Sequence, residues 1–233
     1  TDFGEVNQRI AFLAMVADGV GGRAHGEEAS RLALEESTLY LTQSTLCWYQ
    51  HDAGEQEFID LLQRAATSAH ERVTGKASEE SSLSGMATTL TLWMGVWPWF
   101  YLLQVGDSRY YLYHDDTLTQ VSRDQTMAQE LVDRGVLTRS ALHRSPLSSV
   151  LSSAIGGQTT APVVTRIASE WGQVHLICSD GLTRHVSDEQ IAERIRTMTS
   201  AKQCCEALLD DALAGGGSDN ITIIVGRTVH PHE

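Results

Sequence analysis

Three aspartates stand where an apolar run gives way to glycine or asparagine: Val16-Ala17-Asp18-Gly19, Ile177-Cys178-Ser179-Asp180-Gly181 and Gly217-Ser218-Asp219-Asn220-Ile221. A carboxylate at a strand end has a fixed backbone behind it and solvent in front. A neighbouring glycine lets a ligand or a main-chain carbonyl come close. Hard divalent cations such as Mg²⁺ and Mn²⁺ take oxygen ligands in octahedral geometry and keep several waters. Carboxylates with no Cys or His cluster beside them suit such ions better than zinc. Asp-Gly at a strand end is also ordinary turn chemistry. Three such places in one acidic chain raise the weight of metal ligation, and the local patterns alone leave both readings open.

Charge and composition bound the remaining classes. Seventeen basic residues against 30 acidic ones give a formal charge of −13, which repels nucleic-acid phosphates and anionic membranes and favours cation binding. Hydrophobic residues make up 42% of the 233 positions and charged residues 20%, ordinary globular usage with enough apolar content for a core. No apolar run reaches the roughly 18 residues a membrane helix needs, and the stretch 94–105 reads as buried strand. No P-loop or H-E-x-x-H pair is present, so a nucleotide or zinc hydrolase of those kinds is not indicated. The N-terminus shows no basic and apolar leader pattern. It does not open with Met, which reads as a piece of a longer chain. Cys47, Cys178, Cys204 and Cys205 lack C-x-x-C spacing, as reduced thiols of a cytoplasmic protein would.

The elements that must position the aspartates follow from periodicity. Residues 10–17 (IAFLAMVA) read as a buried strand running into a glycine-rich turn at Gly19, Gly21 and Gly22. Apolar residues at helical spacing predict helices over 27–40 and 57–73, followed by a Ser, Glu and Gly-rich exposed connection over 75–85. Residues 87–96, 99–106 and 110–113 predict strands, with His114-Asp115-Asp116 as a hairpin turn before a strand at 118–121. A helix over 127–137 closes near Gly135. The Ser-rich stretch 139–153, interrupted by Pro146, reads as flap-like, with Arg139, His143 and Arg144 as solvated loop charges. Strands over 163–168, 173–178 and 221–227 and helices over 188–198, with Ser187 as N-cap, and 201–214 complete the chain. Trp93, Trp97 and Trp99 fall inside predicted strands, where a buried packing role is expected. Strands and helices segregate in runs, which argues for an α+β layered domain with antiparallel sheets.

Seven segments in order carry a resemblance: Ala17-Asp18-Gly19-Val20-Gly21-Gly22, Gly85-Met86-Ala87-Thr88-Thr89, Val105-Gly106-Asp107-Ser108-Arg109, Arg123-Asp124-Gln125, Ala154-Ile155-Gly156, Ser179-Asp180-Gly181 and Gly217-Ser218-Asp219-Asn220-Ile221-Thr222. Over nearly the whole chain they resemble the type 2C metal-dependent serine/threonine protein phosphatases, in particular the bacterial branch. The resemblance implies a four-layer αββα sandwich of two antiparallel sheets flanked by helices. It implies a single catalytic domain over residues 1–233, with a flap at about 126–153. The activity implied is hydrolysis of phosphoserine and phosphothreonine on proteins by a metal-activated water, without a covalent phosphoenzyme.

The same resemblance implies roles residue by residue. Asp18 bridges two metals, the Gly19 carbonyl binds one, and Asp180 and Asp219 hold the other; the ions are Mn²⁺ or Mg²⁺, two or three in number. Asp124 matches the position that binds a third ion with Asp180, while the local pattern equally fits an N-cap for the helix near Met127. Asp107 and Asn220 are expected to brace the site by hydrogen bonds. No substrate-binding residue is assigned, and His25, His70, His114, His143, His175 and His185 are read as surface or core histidines, His25 being a remote candidate in the loop after Gly22. The implied partners are phosphorylated proteins and a cognate serine/threonine kinase, in a bacterial signalling system. The family's N-terminal arginine and acidic pair are expected upstream of Thr1; Asp2 and Glu5 lie too close to Asp18 to replace them. Val20 stands where some relatives carry a histidine. A catalytically weak regulatory or phosphoprotein-binding module is the alternative.

Overall fold

The computed structural model describes residues 11–20, 23–48, 54–96, 98–142 and 144–229. The expectations at Thr1, Asp2, Glu5, Gly21, Gly22, Trp97 and His143 lie outside the described residues, as does the side chain of Cys47. In chain order the elements are β1 (Ala11–Val16), β2 (Gly19–Val20), α1 (Arg23–Trp48), α2 (Glu55–Glu79), β3 (Ala87–Thr88), β4 (Leu90–Val96), β5 (Trp99–Val105), β6 (Arg109–His114), β7 (Thr117–Gln120), α3 (Met127–Asp133), α4 (Arg139–Leu142), β8 (Val163–Ala168), β9 (Val174–Cys178), α5 (Asp180–Thr183), α6 (Asp188–Arg196), α7 (Ala201–Ala214) and β10 (Ile223–Arg227).

Two four-stranded antiparallel sheets form, in the orders β1-β4-β5-β8 and β10-β9-β6-β7, beside a small β2-β3 pair. Alternation along each strand assigns the faces, because successive side chains point to opposite sides of a sheet. On β5, Tyr101, Leu103 and Val105 join the core under α1 and α2, whereas Leu102 turns to the other sheet. On β9, Val174, Leu176 and Cys178 pack with α5, α6 and α7, and Ile177 faces inward. The layering is therefore helices, sheet, sheet, helices. Phe58, Leu62, Ala65, Ala66, Ala69 and Val73 of α2 are buried in the first core; each large apolar side chain buried there is worth about 1.5–3 kcal/mol.

The helices under the first sheet are longer than periodicity predicted. α2 runs through Gly75 to Glu79, because Ala77 still packs on the core and nothing crowds the glycine. The predicted connection over 75–85 thus shrinks to a short stretch with a 3₁₀ turn at Ser81–Leu83. α3 stops at Asp133, ahead of Gly135 in the left-handed region (φ 71). The hairpin at Asp115 and Asp116 is confirmed by positive φ at both residues (47 and 56), and Ser187 forms a capping box with Gln190 on α6. Trp93 lies half-buried between the sheets, and Trp99, also half-buried, packs against the first core with the Arg166 guanidinium 4.1 Å from its ring. Among the described residues no helix is long and apolar enough to cross a membrane.

One irregularity matters for the site. The strand predicted over 87–96 breaks at Thr89, between β3 and β4. Thr88 turns aside to pair with Ile155, and Thr89 turns to the end of β1.

Candidate active site

Asp18 follows β1 and is held by its backbone. Its N–H donates to Thr89 Oγ1 (2.9 Å), and its carbonyl accepts from Thr89 N–H (2.8 Å) and Thr88 Oγ1 (2.9 Å). Thr89 Oγ1 is in turn 2.8 Å from Ser108 Oγ in the turn after β5. This buried hydroxyl pair fixes the main chain of Asp18 without drawing on its carboxylate. Gly19 packs against Gly26 of α1, where an added Cβ would lie 2.1 Å from the Gly26 carbonyl oxygen. The sequence pattern did not single out Gly26, since the partner is a helix residue whose proximity is tertiary.

Asp180 opens α5 directly after β9, and Asp219 lies in the loop between α7 and β10. Ser179 ties the two: its hydroxyl donates to the Asn220 carbonyl (3.0 Å) and accepts from Thr222 N–H (3.0 Å). Gly181 permits this approach, because a Cβ there would stand 2.2 Å from the Asn220 oxygen. Asn220 thus joins the two loops through its main-chain carbonyl. The Asp219 carboxylate accepts from the N–H of Asn220 (2.9 Å), and His185 Nε2 meets Ser218 N (3.1 Å) and Ser218 Oγ (2.9 Å). His185, read from sequence as an uninvolved histidine, therefore pins the loop that carries Asp219.

Electrostatics shows that the aspartates converge. The Asp18 carboxyl is pushed up to about 7, first by burial and then by Asp180, with Asp219 and Asp107 adding to it. Asp107 is also pushed up to about 7, by burial first and then by Asp180 and Asp124. Asp107 thus stands in the acidic cluster, next to Ser108, whose hydroxyl meets Thr89. Asp180 Oδ1 is buried without a hydrogen-bond partner. An orphaned carboxylate oxygen facing other carboxylates is the chemistry a hard cation resolves, so the donor set fits Mg²⁺ or Mn²⁺. Among the described residues no three donors already converge as a closed metal cage. The charge between Asp180 and Asp219 is met by Arg184, which pairs with the first and lies 3.2 Å from the second. Its spacing of four from Asp180 on a helix was the signal that could have revealed it.

Asp124 is paired with Arg109. Arg109 Nε donates to its Oδ1 (2.9 Å), Arg109 Nη2 to its Oδ2 (2.8 Å), and Gln120 Nε2 to Oδ1 (3.0 Å). The N-cap of α3 is Thr126, whose hydroxyl accepts from Gln129 N–H, so the capping alternative for Asp124 is corrected. His25 lies on the first turn of α1, and not in a loop. The segment 126–153 leaves and rejoins the site region at one point: Met127 N–H donates to the Val150 carbonyl (2.8 Å) and Ser152 N–H to the Gln125 carbonyl (2.9 Å). Between these ends it carries α3, α4 and a 3₁₀ turn at Pro146–Ser149.

The fold that carries these residues is similar to known proteins. The serine/threonine protein phosphatase PstP of Mycobacterium tuberculosis is 34% identical over 219 residues, covering 94% of this chain and 41% of that protein. The chain thus spans well under half the length of this curated relative. A crystal structure of the M. tuberculosis serine/threonine phosphatase PstP/Ppp matches with a TM-score of 0.80 and 34% identity, covering 94% of this chain and 88% of that one. A second, of the catalytic domain of PstP in complex with two manganese ions, matches at 0.79 and 32% identity, covering 94% and 88%. The family model described as protein phosphatase 2C matches residues 2–214, and on a match of this extent the chain belongs to that family.

Proposed function

We propose that this chain hydrolyses phosphoserine and phosphothreonine on proteins in a reaction that depends on Mn²⁺ or Mg²⁺. The observation that carries the reading is the cluster of Asp18, Asp107, Asp180 and Asp219, in which burial and the neighbouring carboxylates push Asp18 and Asp107 up and one buried oxygen of Asp180 is unpaired. Manganese ions bound to the PstP catalytic domain support the choice of ion. Asp18, the Gly19 carbonyl, Asp180 and Asp219 would hold the ions, two in number. A third would draw on Asp124 and must first displace Arg109 from it. Bound there, the ions supply Lewis-acid activation of water and neutralise charge on the transferred phosphoryl group.

The chain's own residues do the rest. Thr88, Thr89 and Ser108 hold the Asp18 main chain, and Ser179 and His185 hold the Asp180 and Asp219 loops, so the carboxylates need little reorganisation when cations arrive. With its carboxyl pushed up to about 7, Asp18 is only partly ionised near neutral pH, and a divalent ion would favour the ionised form. The chain acts as one catalytic domain, with the segment 126–153 as a flap beside the site. Its free thiols Cys178, Cys204 and Cys205 favour a reducing bacterial cytoplasm, where it opposes a serine/threonine kinase.

The test is release of phosphate from a phosphothreonine peptide with and without Mn²⁺. Metal-dependent turnover supports the reading. Binding of the phosphopeptide with no turnover in saturating Mn²⁺ would replace it with the non-catalytic module.

A further inference from the structure

Arg184 is the C-cap of the short helix α5 and lies one turn after Asp180, which brings its guanidinium back over that carboxylate. A simple helical pair would stop there. Instead one arm pairs with Asp180 Oδ2 and the other lies 3.2 Å from Asp219 Oδ2, so a single side chain spans the two loops that Ser179 joins from below. We propose that Arg184 is a tethered cation that competes with the divalent ion for Asp180 and Asp219, so that metal binding must displace it. The inference rests on the reading of those two aspartates as metal ligands.

Three observations carry it. First, among the described residues the donors do not close into a cage, and the guanidinium lies across the gap between Asp180 and Asp219. Second, the Arg184 side chain is 44% exposed, against 16% for Asp180, so the guanidinium has solvent to swing into while the carboxylate stays in place. Third, Arg184 answers only part of the charge: Asp180 Oδ1 keeps no partner. A guanidinium is planar, with one diffuse charge, and bonds through hydrogens, whereas a small dication takes both loops' oxygens directly. The arginine therefore lowers repulsion in the metal-free chain and weakens apparent metal affinity by the free energy of its own displacement.

Isothermal titration of the metal-free chain with Mn²⁺ tests this, using wild type, Arg184→Gln and Arg184→Lys, with far-UV circular dichroism as a check on folding. Arg184→Gln is expected to bind Mn²⁺ roughly two- to fivefold more tightly, the range a partly exposed ion pair of this kind commands. Arg184→Lys keeps the charge without spanning both carboxylates and should fall between the two. The metal-free melting temperature of Arg184→Gln should drop, and saturating Mn²⁺ should close the gap. Equal or weaker Mn²⁺ binding by Arg184→Gln overturns the competition. Absence of Mn²⁺ binding by all three proteins removes the metal reading itself, and the competition with it.

Discussion

The hydroxyl of Ser179 donates to the main-chain carbonyl of Asn220 at 3.0 Å, so one buried side chain joins the loop of Asp180 to the loop of Asp219. Residues 41 positions apart in sequence are held at hydrogen-bond distance by that contact. Ser179→Ala would leave the Asn220 carbonyl and Thr222 N–H without this partner, costing about 1–3 kcal/mol. Supporting contacts of this kind commonly affect metal affinity by about 10- to 100-fold. Urea denaturation and Mn²⁺ titration should show both losses; an unchanged Mn²⁺ affinity would mean the loops are positioned by other contacts.

Asp180→Asn should abolish metal-dependent phosphate release while leaving the fold intact. The side chain stands at a strand end among other carboxylates, so its charge adds repulsion in the metal-free chain. The metal-free melting temperature should therefore shift by no more than about 2–4 °C, which corresponds to ~1 kcal/mol in a chain of this size. Retained turnover in Mn²⁺ would sink the assignment of this aspartate as a ligand.

Asp124→Ala is expected to destabilise the metal-free chain by about 3–5 kcal/mol, because it strands the Arg109 guanidinium, whose side chain is 15% exposed. The pair sits in a relay: Arg109 also donates to the Tyr111 hydroxyl, which donates to Asp188 at the start of α6. Chemical denaturation in the presence of a chelator separates this role from metal binding. A variant as stable as wild type would show that the ion pair contributes nothing to the fold.

Acid should weaken the chain through His175. This imidazole lies between the sheets against Trp93 and Phe100, with Nδ1 2.8 Å from the Tyr110 hydroxyl and Nε2 unpaired. Burial lowers it from 6.5 to about 4. A depressed histidine contributes stability above its unfolded pKa and loses it as pH falls towards the folded one. The loss between pH 6.5 and 4 should approach about 3 kcal/mol, from roughly 1.4 kcal/mol per pKa unit. In His175→Phe the pH slope in that window should flatten. An equal slope in both proteins would assign acid sensitivity elsewhere.

The layered α+β class was legible in the sequence because alternation and helical spacing report directly on which face of an element is buried. Helix ends were less so: α2 continues through Gly75 only because Ala77 meets the core, a contact no local pattern contains. The break at Thr89 was invisible for a similar reason, since Thr88 stays with β2 and Ile155 while Thr89 leaves the strand for Asp18.

The sequence by itself determined which carboxylates stand at strand ends and that glycines flank Asp18 and Asp180, since these are properties of neighbouring residues. Tertiary structure alone decided that Ser179 bonds Asn220, that His185 holds Ser218, that Arg109 takes Asp124, and that Arg184 reaches Asp219. Each of these contacts joins segments far apart along the chain. Their distances depend on how two sheets and their helices pack, and periodicity within a segment carries no information about that.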